Sequence, residues 1–299
     1  MYEIPARLSA GLMSIEIQKI VVIAIAIGCA VKMALWPVHT WLPDAHSEAP
    51  TPISVLLSGV MIKCGAYGII RIALIFFGDA FLSLSTVFAV IAIITMIYGG
   101  LLALAQTDVK RLLAYSSISQ MGYIFFGISV ATAYGLTGAL FHIINHAIGK
   151  GLLFMCAGAL IHQTGTRDLR ELQGLAGKMP ITAMAVMIGC FSLAGAPPFG
   201  GFQSEWMIFA GGFQRPEFAL FTSVALISTL ITAAYYLWFI YRVFFGPRPE
   251  KLESVKEAPF TMTIPMLILA FLAVLLGIWP RLATDIIAPE AQHIASLIK

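Results

Sequence analysis

Six ionisable residues stand inside stretches that are otherwise apolar: Lys32, Lys63, His142, His146, Lys150 and Glu205. A lysine at the centre of a membrane helix costs roughly 2.5–3.5 kcal/mol to insert, so three cost about 8–10 kcal/mol together. Each therefore needs a partner, water or a route to the interface. His142, His146 and Lys150 recur at i, i+4 and i+8 in FHIINHAIGKGLLF, which puts them on one face of a helix with Asn145 beside them. Imidazole titrates near neutral pH and can pass a proton between its two nitrogens. Donors and acceptors one turn apart are what proton hopping requires; histidines that only glue helices together by hydrogen bonds are the alternative.

Lys63 lies in SGVMIKCGAYG, far from either end of its apolar run. It reads as a buried, wetted amine that exchanges protons, against a structural lysine bonded to carbonyls. Lys32, in GCAVKMALWPVH, precedes Pro37 by a few residues. Snorkelling to the interface competes there with a helix C-terminus that stabilises the ammonium. Glu205, in GGFQSEWMIF, is expected in the first turn of a half-helix, where the positive dipole end favours its charged form and an ordinary capping role is the alternative. Asp44, His46 and Glu48 read as part of a solvated turn.

The elements that must hold these groups follow from composition. Of 299 residues, 59% are hydrophobic and 11% charged, too few polar groups to cover a globular surface. The mean hydropathy is +0.90. Apolar runs of about 20 residues, each able to cross ~30 Å of hydrocarbon, recur along the chain. The fold class is all-α, a polytopic membrane protein in the lipid bilayer. About eight transmembrane helices are expected, near 17–36, 53–77, 84–105, 113–130, 135–161, 180–196, 218–245 and 260–279.

Two connections break the pattern. WPVHTWLPDAHSEAPTP follows the first run and AGAPPFGGFQSEWMIFAGG the sixth. Proline removes a backbone donor, so both read as broken helices, tolerated at membrane depth only where backbone is buried or lines a cavity. Paired interruptions of this kind are the trace of inverted repeats in transporters. The expected organisation is a two-span remnant of a first repeat (1–79), a complete five-helix inverted repeat (80–246) and a C-terminal span and tail (247–299).

An even span count puts both termini on one side. Lys110, Arg111, Arg167, Arg170, Lys178, Arg242, Arg248, Lys251 and Lys256 fall on one face of the membrane; Arg7, Lys19, Arg71, Arg215, Arg281 and Lys299 fall on the other. The excess places the first group in the cytoplasm and both termini outside. No apolar h-region follows the N-terminal charges, so no cleavable signal peptide is expected. Net charge is +3 and dispersed, which gives no nucleic-acid footprint. Cys29, Cys64, Cys156 and Cys190 lie singly in apolar runs and read as small core residues, with neither disulfide nor metal expected. No phosphate loop, HExxH or catalytic triad order stands out, and nothing suggests haem, flavin or iron–sulfur ligation. No cofactor and no redox or hydrolytic chemistry are expected in the chain itself.

AVKMALWPVHTWLPDAHSEAPTPISVLLSGVMIKCGAYGIIRI (30–72) resembles the signature stretch of the antiporter-like proton-translocating membrane subunits. That family includes the M-, L- and N-type subunits of respiratory complex I and related subunits of membrane-bound hydrogenases and Mrp-type antiporters. DVKRLLAYSSISQMGY (108–123), HIINHAIGKGLLFMCAG (142–158), TGTRDLRELQGL (164–175) and AGAPPFGGFQSE (194–205) are similar to the same family in the same order.

The resemblance implies two inverted five-helix repeats, each a half-channel joined to a hydrophilic axis at mid-membrane. It assigns Lys32 to the lysine of the first broken helix and Lys63 to that of the next. His142, His146 and Lys150 match the central relay, and Glu205 the charged position of the second broken helix, facing the outer exit. It implies other membrane subunits as partners, and a redox module with iron–sulfur clusters that drives proton (or sodium-coupled) movement. The alternatives are a non-transporting scaffold and one of the subunits of a Mrp-type cation/proton antiporter. Family members carry further spans ahead of the point where this chain begins, including a glutamate that pairs with the first lysine. The expectation is that another polypeptide supplies that acid, or that Lys32 is neutral or wetted.

Overall fold

A computed structural model describes residues 13–298. Helices occupy all eight expected places, and among the described residues there is no strand, only an isolated bridge between Asp108 and Asp168. The chain is an all-α membrane protein. In order, α1 is Ile15–Met33, α2 Trp41–Glu48, α4 Gly78–Leu104, α5 Val109–Val130 and α6 Ala133–Thr164. Between α2 and α4 runs α3, Thr51–Leu74. The remainder are α7 Pro180–Leu193, α8 Gly200–Phe213, α9 Ala219–Phe244, α10 Phe260–Ile278 and α11 Arg281–Leu297.

Five of these, α3, α4, α6, α9 (with the short turn before it) and α10, are long and apolar enough to cross a membrane on their own. The others have physical reasons to differ. Helix α1 carries Glu16, Lys19 and Lys32. Helix α5 holds Ser116, Ser117, Ser119 and Gln120, yet nearly all of it is buried, so its polar groups face protein rather than lipid. Helix α7 is short and is continued after a break by α8. Outward faces are apolar, as at Leu220, Ile227 and Leu230 on α9, exposed by 72%, 62% and 69%. A lipid solvent accounts for such surface.

Both breaks lie where the prolines require them. Helix α1 ends at Ala34 in the left-handed conformation, and the freed Trp36 N–H donates to Thr95 Oγ1 of α4 at 3.1 Å. The second break spans 194–199, with Gly195 at φ +67°. Each contains one cis X-Pro peptide, Trp36–Pro37 and Pro197–Pro198. Helix α10 crosses the second break at Gly277, where an added Cβ would sit 2.5 Å from Phe199 Cα. Gly277→Val is therefore expected to cost about 1–3 kcal/mol by overpacking, read as a lower melting temperature of the purified assembly.

The connections rich in Lys and Arg gather at one end. Val109 N–H donates to Arg167 O at 3.0 Å, Leu175 N–H to Val243 O at 3.2 Å, and Lys251 pairs with Glu171 at 3.2 Å. In that loop Arg170 donates to Asp168 and holds its carboxyl down to about 2. The carbonyls at the end of α2 are capped there by cations: Arg167 donates to Ser47 O at 2.8 Å and Lys110 to Ala49 O at 2.6 Å. Cations suit a helix C-terminus. The opposite end brings together Arg215 with Val130 O, and Ile298 with Gly78. Arg7, Lys299 and residues 1–12 of the N-terminal stretch lie outside the described residues.

Three expectations are corrected. Asp44, His46 and Glu48 are not in a solvated turn: they form part of α2, where His46 is fully buried and stacked on Phe154, ring centroids 4.6 Å apart. Asp44 does face outward, paired with Arg111 at 2.7 Å. Cys64 is exposed on the outer face of α3 and Cys29 is half-buried, so only Cys156 and Cys190 are core residues. The C-terminal tail contains a further helix, α11, whose charged and apolar faces segregate. It packs Ala283 and Ile287 against Phe141 and Ile144 of α6.

Candidate functional site

Helix α3 places Lys63 by an irregularity. Two wide, π-type turns, Leu57–Met61 and Ile69–Leu74, flank the α-helical stretch that begins at Lys63. Such turns add a residue per turn and splay carbonyls out of line. The Lys63 ammonium donates to one of them, Ser58 O. Only 6% of Lys63 is exposed.

From there a connected set of polar atoms runs into α5 and α6. Ser58 Oγ lies 2.8 Å from Ser117 Oγ, and Ser117 Oγ donates to Leu113 O at 2.8 Å. The same carbonyl accepts from Lys150 Nζ at 3.0 Å. Lys150 also donates to Ser116 Oγ and sits 5.6 Å over the Tyr236 ring. Lys63 and Lys150 are thus linked through two serines and two backbone carbonyls, Ser58 O and Leu113 O. A charged amine in this position is compensated by oxygens and a ring face rather than by a carboxylate.

Helix α6 presents His142, His146 and Lys150 on one buried face, none of them exposed. The helix is about 48 Å long at 1.5 Å per residue, so the stripe lies well inside it. Thr132 caps its start, accepting from Gly135 N–H at 3.1 Å, and Gly165 at φ +71° ends it. The rings of His142 and His146 are 6.4 Å apart. Neither nitrogen of His146 has a hydrogen-bond partner among the described residues. Its neighbours Lys63 and Lys150 are close enough to act on it electrostatically. His142 is engaged on both sides, by Gln120 Oε1 at 2.8 Å and by Ser204 Oγ at 2.9 Å.

The second break closes the set. Gln120 donates to Leu193 O at 3.3 Å and Asn145 to Gly200 O at 2.9 Å, so side-chain amides from α5 and α6 satisfy carbonyls that the interruption exposes. Glu205 is the sixth residue of α8, in its second turn. The first-turn capping role is therefore corrected, since the dipole effect fades within that turn. Instead Glu205 is 5% exposed, with Oε1 unbonded among the described residues and its carboxylate against Gly195.

Of the six sequence candidates, the structure brings together Lys63 of α3 with His142, His146 and Lys150 of α6, and Glu205 follows Ser204, which bonds His142, on α8. Lys32 is not joined to them. It is half-buried in the last turn of α1, with no hydrogen bond or ion pair among the described residues. Sequence reasoning missed Ser58, Ser117, Gln120 and Ser204, which connect the ionisable groups, and Tyr123, Tyr235 and Tyr236, which wall them. The usable signal was SSISQ, four polar residues in five at the middle of a buried helix. Among the described residues no three His, Cys, Asp or Glu side chains converge on a metal position.

Residues 5–232 match the family described as NADH:quinone oxidoreductase/Mrp antiporter, TM. The chain is 37% identical over 282 residues to NADH-quinone oxidoreductase subunit M of Rhodobacter capsulatus, covering 93% of this chain and 54% of that one. It is 40% identical over 296 residues to a Na(+)/H(+) antiporter subunit of Bacillus subtilis, covering 91% and 37%. Its fold is similar to a chain of respiratory complex I from Thermus thermophilus solved with bound NADH: TM-score 0.89, 26% identity, 97% of this chain and 61% of that one. The chain spans about half the length of the curated relatives it matches. With the match covering most of its residues, this chain belongs to the NADH:quinone oxidoreductase/Mrp antiporter transmembrane family.

Proposed function

We propose that this chain is a membrane subunit of a complex I-like, redox-driven ion-translocating assembly and contributes part of a proton path. Its own residues do no redox chemistry; the path uses Lys63, Lys150, His146, His142 and Glu205, with sodium-coupled movement as a variant of the same reading. The observation that carries it is the burial of Lys63, His142, His146, Lys150 and Glu205 in one polar seam, with the carbonyls Ser58 O and Leu113 O anchoring the two amines and serine hydroxyls between them. Insertion of such groups into a membrane core is costly, and intramembrane ionisable residues mark ion pathways by default. The five-helix unit 80–246 supplies the relay and Glu205, and residues 1–79 supply Lys32 and Lys63. Lys32 takes its counter-charge from outside the described residues. The loop end rich in Lys and Arg faces the cytoplasm in a cell (inner) membrane, with the termini outside.

Partners under this reading are other membrane subunits and a redox module with iron–sulfur clusters. Similarity to an NADH-quinone oxidoreductase subunit M and to a solved complex I supports it. The 40% identity to one of the Na(+)/H(+) antiporter subunits favours a second reading, in which the chain belongs to a Mrp-type cation/proton antiporter with no redox partner. Gentle extraction from native membranes, followed by identification of every copurifying subunit, separates the two. Iron–sulfur proteins in the complex, and ion movement that needs an electron donor, are the expected result. Membrane subunits alone, with ion movement driven by a sodium gradient, would replace the first reading with the second.

A further inference from the structure

The histidine stripe has an obstruction at His142. Gln120 Nε2 donates to Leu193 O at 3.3 Å, which leaves Gln120 Oε1 facing His142 Nε2 at 2.8 Å. Turning the amide over would set oxygen against oxygen at Leu193. An amide oxygen only accepts, so this pattern assigns a ring proton to Nε2, while Nδ1 faces Ser204 Oγ, which also donates to Gly201 O at 2.9 Å. The proton on Nε2 then points at a group that cannot pass one on. Conduction through His142 requires that bond to break.

A second row of polar groups lies alongside. Helix α9 carries Ser228, Thr232, Tyr235 and Tyr236, spaced to share one face, and all are buried. The Tyr236 ring lies beneath Lys150 Nζ at 5.6 Å, and its hydroxyl faces Ser116, the same serine that Lys150 bonds. The rings of Tyr235 and Tyr236 are 4.5 Å apart. The Tyr235 hydroxyl faces Thr232 and Ser119. Thr232 Oγ1 is 3.1 Å from Tyr123 OH, which also accepts from Ser228 Oγ at 3.2 Å. The Tyr123 ring packs against Phe209, one turn after Glu205 on α8, with ring centroids 6.1 Å apart. The Tyr235 and Tyr236 hydroxyls have no hydrogen bond in good geometry among the described residues, and neither has Glu205 Oε1. Buried polar atoms left so, in a polar site, call for water or for each other.

We propose that the hydroxyl row Tyr236–Tyr235–Thr232–Tyr123 carries protons between Lys150 and Glu205, in parallel with the histidines and past the obstruction at His142. A hydroxyl both donates and accepts, so each member takes a proton on one side and releases its own on the other. One N–H bond breaks at the Lys150 ammonium, one O–H bond forms on the Glu205 carboxylate, and every hydroxyl between ends neutral. The last step, from Tyr123 to Glu205 Oε1, passes through a bridging water. The inference rests on the reading of this chain as a proton-conducting subunit.

The test uses the intact complex in sealed membrane vesicles, energised by its own driving reaction, with proton movement followed by a pH-sensitive dye. Thr232→Val keeps shape and loses the hydroxyl; Thr232→Ser keeps the hydroxyl. Thr232→Val is expected to lower proton movement about tenfold, with Thr232→Ser restoring most of it. A Tyr235→Phe/Tyr236→Phe double variant, which keeps both rings, is expected to match Thr232→Val. Lys150→Ala serves as the reference for the functional reading. Wild-type movement in Thr232→Val and in the double variant, with Lys150→Ala inactive, overturns the hydroxyl row and leaves the proposed function standing. Equal losses in Thr232→Ser and Thr232→Val make the role one of packing and also overturn it. Full movement in Lys150→Ala overturns the proposed function itself, and the row with it.

Discussion

Lys63→Met is expected to lower driven proton movement by about two orders of magnitude while leaving the complex assembled. Methionine reproduces the unbranched stem of lysine and removes the ammonium. Lys63 is 6% exposed, and among the described residues its amine donates to Ser58 O. Removing a buried cation relieves an insertion cost of roughly 2.5–3.5 kcal/mol and gives up one hydrogen bond worth about 1.5–3 kcal/mol. Stability of the complex should therefore hold or rise slightly while transport falls. The opposite pattern belongs to a structural lysine: a drop in melting temperature with proton movement intact. Measuring both quantities on the same preparation separates the two roles.

The fold was legible because its signals are coarse. Apolar runs of membrane-spanning length, prolines at Pro37 and Pro197–Pro198, and the glycines after the second pair place the spans and both breaks. Helix α11 was missed because Arg281–Leu297 is amphipathic rather than apolar, so a search for spans passes over it. The site was legible where a residue type is costly in lipid. Lys63, Lys150 and the two histidines announce themselves by that cost. What joins them is made of serines, a glutamine and backbone carbonyls, which cost little and recur everywhere. Ser58 and Ser117 meet across 59 positions of sequence, and no spacing rule on one helix reveals such a pair. His46 belongs to the same class: PDAHSE looks like a polar turn, but it forms part of α2, whose buried face carries Leu42, His46 and Ser47, with His46 stacked on Phe154.

Glu205→Gln is expected to reduce proton movement at least about tenfold with normal assembly. The amide fills the same space as the carboxyl group but cannot take up a proton, so the loss reports on proton transfer and not on shape. Gly195 gives the sharper test of how the carboxylate is held. It combines φ +67°, which strains any residue with a side chain, with direct contact to the Glu205 carboxylate, where an added Cβ would come to 3.1 Å from Cδ. Gly195→Ala should displace Glu205 and lower proton movement by itself. If Gly195 acts through Glu205, the double variant Gly195→Ala/Glu205→Gln transports no worse than Glu205→Gln alone, because the carboxylate it positions is already gone. Losses that multiply in the double variant would mean that Gly195 shapes the break independently of Glu205. The expected outcome is the non-additive one: the break at 194–199 presents Glu205 to the buried axis, and its backbone and its acid work as one unit.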